Sequence, residues 1–176
     1  MTEEEYELLI RKEGDGNLLI GIDRAFARRF YTDLPTAYVQ LETGESPYVE
    51  KAIVNCFFVA SPICLLIAAA LAVWCFSWWS ILIVPGIILT WLVYGASSSM
   101  GTSQIGTISL MLIAALALLL FDPSSRWFSP FLVLLILAFW LNRFMYITAT
   151  VFLRAFVLRN QKAFALVHDH LTLRYV

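Results

Sequence analysis

Residues 52–76 read AIVNCFFVASPICLLIAAALAVWCF, and this uncharged run decides the class of fold. A bilayer's hydrocarbon core is about 30 Å thick and takes roughly 20 apolar residues in a helix rising about 1.5 Å per residue. The run is long enough to cross. Outward from it the pattern recurs: 78–94, 104–121 and 127–146 are further apolar stretches near that length, the second and third being the shortest. They are separated by Ser-Trp-Trp-Ser, by a segment at 95–104 rich in Ser, Thr and Gly, and by Asp-Pro-Ser-Ser-Arg. The sequence therefore predicts an all-α polytopic membrane protein. Four transmembrane helices occupy 52–146, and a small cytoplasmic α+β portion is formed by the termini, 1–51 and 147–176.

Composition points the same way. Of 176 residues, 60% are hydrophobic and 14% charged, with a mean hydropathy of +0.77, which excludes a water-soluble monomer. Lys and Arg number 12 against 13 Asp and Glu, a formal charge of −1, so there is no basic field for nucleic acid. The opening MTEEEYELL has acids where a signal peptide has cations and lacks an early apolar run, so the first span is expected to direct insertion.

Two aromatic belts are expected at the membrane interfaces: Tyr48, Trp91, Tyr94, Trp140 and Tyr146 at one, Trp74, Trp78, Trp79 and Trp127 at the other. With an even number of spans the termini share a side. That side collects Lys51, Arg143, Arg154, Arg159, Lys162 and Arg174, and the other has only Arg126. Positively charged flanks resist translocation, so both termini are predicted to be cytoplasmic; compact length and short loops point to a bacterial inner membrane.

In the N-terminal segment, apolar runs at 6–10 and 18–22 flank Lys-Glu-Gly-Asp-Gly-Asn, a turn composition that predicts a β-hairpin. A third apolar run occupies 37–41, and 23–31 reads as a short helix exposing Arg24, Arg28 and Arg29. At the other end, Leu171, Leu173 and Tyr175 alternate with Thr172 and Arg174 as in a strand, so the termini are expected to share one small sheet. Between the fourth span and that strand, 147–167 predicts an amphipathic helix carrying Arg154, Arg159 and Lys162. It either lies in the interface with its cations at anionic headgroups or docks on the cytoplasmic portion.

Small residues line one sector of the first span, Ala60, Cys64, Ala68, Ala72 and Cys75, and a more polar set recurs on the third, Thr102, Gly106, Ser109 and Ala117. In lipid, small residues let helix backbones approach and dispersion accumulate, so both stripes are predicted packing faces, within the bundle or toward another subunit. Pro62 and Pro85-Gly86 read as kinks. Asn142-Arg143 is the most informative polar pair within the spans. If the span ends near Tyr146, Arg143 snorkels to the interface; if the helix sits deeper, the pair contacts a headgroup or solute.

Chemistry is sparse. No catalytic residue, metal ligand set or cofactor-binding motif emerges: Walker A, Gly-x-Gly-x-x-Gly and His-Glu-x-x-His are absent from the sequence. His168-Asp169-His170 reads as a solvated turn, and Cys56, Cys64 and Cys75 all fall in one span, where they cannot bridge. The leading expectation is a non-catalytic integral subunit that anchors, assembles or stabilises a membrane complex, with the bilayer and a protein partner or second copy as its contacts. The alternatives are an oligomeric channel or transporter for an uncharged or anionic solute, and a lipid-binding or membrane-shaping protein.

Overall fold

The computed structural model describes residues 3–99, 105–122 and 128–175. The chain is mostly helical, with one two-stranded sheet. The helices are α1 (Glu3–Gly14), α2 (Arg24–Thr32), α3 (Thr36–Thr43), α4 (Tyr48–Phe76), α5 (Ser80–Ser99), α6 (Ile105–Phe121), α7 (Ser129–Arg159) and α8 (Gln161–Val167); the strands are β1 (Leu18–Ile22) and β2 (Leu171–Tyr175). Two helical stretches, Tyr48–Val93 and Ser129–Arg159, are long and apolar enough to cross a membrane, and α6 is a shorter apolar helix. The chain divides into two compact units, one from residues up to 55 and from 146 onward, the other spanning 56–145.

The terminal unit corrects one sequence expectation at once. Residues 6–10 do not form a hairpin strand; they lie inside α1, whose first turn carries Glu3, Glu4 and Glu5 and whose last carries Arg11 and Lys12, each set complementing the helix dipole. The glycine-rich stretch read as a hairpin turn is the end of that helix. Gly16 adopts φ 75°, its N–H donates to Glu13 O at 3.1 Å, and Asn17 N–H donates to Lys12 O at 3.0 Å. This is the left-handed termination that glycine provides without steric penalty. The apolar run 37–41 is likewise helical, in α3, which Gly44 ends at φ 80°. The short helix expected at 23–31 is α2, with Asp23 Oδ1 accepting from Ala25 N–H at 2.9 Å as its N-cap.

β1 pairs instead with the far end of the chain. It runs antiparallel to β2 with Leu18 opposite Tyr175 and Ile22 opposite Leu171, and buries Leu18, Ile20 and Ile22 on one face. The same unit also buries Ala27, Phe30, Tyr31, Val39, Phe156, Val157, Phe164 and Val167, and a two-stranded sheet needs such surrounding apolar burial to be stable. Gly21 stands opposite Thr172, and a Cβ there would lie 2.5 Å from Thr172 Oγ1. Gly21→Val is accordingly expected to cost about 1–3 kcal/mol through this clash. Hydrogen exchange at the amides of 18–22 should accelerate; unchanged protection would contradict the packing described.

No helix boundary falls at Tyr146, where the fourth span was expected to end. α7 runs unbroken to Arg159, and the break comes at Asn160, whose extended backbone and side-chain oxygen, accepting from Ala163 N–H at 3.1 Å, start α8. The expected amphipathic helix at 147–167 is thus the end of α7 plus α8. It docks: Tyr6 OH donates to Leu158 O at 3.0 Å, the Tyr6 ring meets Phe164 edge-on, and Asn160 Nδ2 donates to Thr43 O at 3.2 Å.

In the second unit, 56–145, the helices are held by a few specific links. Phe57 meets Phe144 and Phe76 meets Phe131, both edge-on, so α4 and α7 run antiparallel. The core is Leu65, Ala68, Ala72, Ile87, Phe131 and Ala138, with Ala68, Ala72 and Ala138 fully buried. Ser61 joins three helices: its hydroxyl donates to Ala138 O at 2.8 Å and accepts from Trp91 Nε1 at 3.3 Å.

Candidate functional site

Of the first-span stripe, two residues are buried within the 56–145 unit. Ala68 and Ala72 are at its buried centre, Cys64 packs at its edge, and Ala60 is half-buried, the packed face being rotated toward Ser61 and Leu65. The third-span stripe is different. Ser109 is half-buried and accepts from Trp140 Nε1 at 3.1 Å, but Gly106 and Ala117 are exposed; the buried residues of α6 are Ile108 and Ala115. Thr102 lies outside the described residues.

The aromatic belts need a matching correction. Trp74, Trp78 and Trp79 are 71–85% exposed, and Tyr48 is exposed, as belt residues should be. Trp91 and Trp140 instead turn their indole N–H groups onto Ser61 and Ser109, and Tyr146 is buried. An indole N–H in an apolar bundle gains most from a hydroxyl acceptor on a neighbouring helix. The Tyr94 side chain and Trp127 lie outside the described residues.

Asn142 and Arg143 carry the sharpest anomaly. Arg143 is 1% exposed and Asn142 6%. Arg143 Nε and Nη2 and Asn142 Nδ2 are buried without hydrogen-bond partners among the described residues. Arg143 sits near the middle of a 31-residue helix with its guanidinium enclosed. A guanidinium cannot shed its proton, so burial requires an anion or costs several kcal/mol. Among the described residues of 56–145 the one acid is Asp122, at the end of α6. Trp140 pins α7 to Ser109, and Asp122 lies roughly 20 Å further along α6 at about 1.5 Å per residue, so it does not neutralise Arg143.

Two of the three cations assigned to the membrane surface are ion-paired within the terminal unit. Arg154 forms an ion pair with Glu13; Arg159 reaches Glu45 at 3.3 Å and Glu50 at 3.7 Å and lies over the Phe156 ring. Lys162 is exposed. On α2, Arg24 Nη1 and Arg28 Nε are buried without hydrogen-bond partners among the described residues, and the Arg28 guanidinium lies 5.8 Å from the Tyr146 ring centre. Beside them the Tyr31 phenol is pushed well above its usual range, chiefly by burial and further by the Glu50 carboxylate, with Arg159 opposing.

His168, Asp169 and His170 form an exposed 3₁₀ turn, with the His170 ring stacked on Phe26 at 3.8 Å. Among the described residues no group of three or more His, Cys, Asp or Glu is placed to hold a metal. Comparisons with protein-family models, curated proteins and solved structures return no match.

Sequence reasoning missed Ser61 and the Arg24–Arg28 pair as organising groups. For Ser61 a signal existed, a hydroxyl one residue before an intrahelical proline. For α2 it lay in the i, i+4 spacing of two arginines with no acid at helical spacing to match them.

Proposed function

We propose that this chain is a four-span integral membrane protein, α4 to α7 crossing the bilayer and both termini cytoplasmic, that acts as a non-catalytic subunit assembling or anchoring a membrane complex. The observation that carries the reading is the outward face of α6. Gly106, Ala114 and Ala117 are exposed there, and Ala114, Ala117, Leu118, Phe121 and Asp122 line an open groove of about 490 Å³. Against lipid, a small side chain gains little dispersion; against another helix it permits close backbone approach. The exposure of this face favours a partner helix over packing within the bundle. The charge distribution, with Lys51 and the C-terminal cations on the side of the termini, supports the orientation.

Ala117→Trp fills that groove from outside. It is expected to leave the thermal midpoint of the purified protein within about 0.5 kcal/mol of wild type, as for a surface change, while sharply reducing co-purification of a stoichiometric partner from native membranes. Undiminished co-purification, or a wild-type preparation that is a single homogeneous chain in nanodiscs, would remove the basis for the subunit reading.

A second reading rests on Arg143 and Asn142. Their unpartnered donors and the lack of a nearby acid favour a membrane-embedded contact for an anionic solute or headgroup, as in a channel or transporter. Anion flux through vesicles containing the chain alone distinguishes it from the first.

A further inference from the structure

We infer that α2 holds a phosphate group through Arg24 and Arg28, the membrane-side source being an anionic phospholipid headgroup. The inference rests on the four-span reading. Arg24, Arg28 and Tyr31 fall at i, i+4 and i+7, within a sector of about 60° at about 100° per residue. Each contributes a buried donor that no described residue accepts from: Arg24 Nη1, Arg28 Nε and the hydroxyl of the fully buried Tyr31. Both arginines are half-buried, so part of each guanidinium remains reachable.

The acids flanking the helix are engaged elsewhere. Asp23 caps Ala25, and Asp33 accepts from the Thr32 hydroxyl at 2.6 Å. Two like charges one turn apart on a helix repel, and an anion lying against both relieves the repulsion and satisfies the buried donors. Guanidinium groups match phosphate oxygens in a forked, two-bond geometry. Level also matters. On the four-span reading Tyr146, over whose ring Arg28 lies, is the cytoplasmic end of the last span, and this favours a lipid phosphate as the source. Arg154 and Arg159 are paired with acids, whereas no ion pair joins Arg24 or Arg28 to an acid among the described residues.

The test uses the full chain in nanodiscs of phosphatidylcholine alone or with phosphatidylglycerol, comparing wild type, Arg24→Gln/Arg28→Gln, Arg24→Lys/Arg28→Lys and the control Lys162→Gln. Readouts are the thermal midpoint and the phosphatidylglycerol retained in native mass spectra. Phosphatidylglycerol should stabilise wild type and Lys162→Gln, and the double Gln variant should bind it about thirtyfold more weakly, with partial recovery in the Lys variant. Should the double Gln variant not fold, Arg24→Gln alone carries the same readouts, with about a fivefold loss. Equal retention by wild type and Gln variants overturns the inference. Inorganic phosphate is titrated into phosphatidylcholine nanodiscs at constant ionic strength; if it reproduces the whole shift, the lipid source is overturned in favour of a soluble phosphate. A chain that stays soluble without detergent or lipid overturns the membrane reading and the headgroup with it, whereas incorporation without any lipid preference overturns the inference alone.

Discussion

Ala68→Leu is expected to loosen the helix bundle by about 1–3 kcal/mol and to lower the thermal midpoint of the detergent-purified protein. Ala68 is fully buried and packs with Leu65, Ala72, Ile87, Phe131 and Ala138. Ala68 and Ala72 on α4 and Ala138 on α7 bring these helices together by the absence of side-chain bulk. In lipid the helices gain nothing from hiding apolar surface, so close contact and its dispersion energy hold them. Leucine at 68 would push α4 off its neighbours and lengthen the Ser61 hydroxyl's 2.8 Å bond to Ala138 O. Ala70, on the same helix, is exposed, and Ala70→Leu should leave the midpoint within about 0.5 kcal/mol of wild type. Equal losses from the two substitutions would mean that helix propensity or insertion, and not close packing, governs the bundle.

Arg143→Met should act in the opposite direction. Replacing a buried charge with an apolar side chain of similar length is expected to stabilise the purified protein by about 1–4 kcal/mol when no anion is supplied. The expectation follows from the enclosed guanidinium, its unpartnered Nε and Nη2, and an Asp122 too distant to help. Asn142 Nδ2 is unpartnered beside it, so Arg143→Met removes one of two strained donors, and Asn142→Leu should add to the gain. Thermal denaturation with and without anionic lipid measures both. A loss of about 3–5 kcal/mol on substitution would show that a resident anion already compensates the charge, and would favour the transport or headgroup reading over the subunit one.

The long apolar helices were legible because apolar character sustained over about 20 residues is a strong local signal. α4, α5 and α6 begin and end close to the expected spans. The alternation at 171–175 and the short helix beginning at Asp23 were equally plain. The run at 6–10 was not: an apolar patch before Gly-Asp-Gly suits a hairpin turn and a helix terminus alike, and the decisive clue was the acid-to-base gradient along α1. The continuation of α7 past Tyr146 was hidden for another reason. Hydropathy reports where the apolar stretch weakens, while a helix ends where its backbone is capped, here by Asn160. For site residues the gap was wider. Spacing placed Ala68 and Ala72 on one face of the first span, but whether Gly106 and Ala117 looked inward, or whether Arg154 had met Glu13, depended on chain separated by many residues. Pairing between distant segments leaves no periodic trace in sequence.

The pairing of β1 with β2 has a consequence for biosynthesis. β1 leaves the ribosome before β2, with the apolar helices α4 to α7 made in between. Until then Leu18, Ile20 and Ile22 belong to a strand with an open edge, which chaperones and proteases recognise. In the four-span arrangement, β2 reaches the same compartment as β1 only if every intervening helix has threaded in its proper sense. A chain with one helix left out would present its last strand across the membrane from its first. Closure of this sheet would thereby report correct insertion, and the unclosed edge would mark a misthreaded chain for disposal.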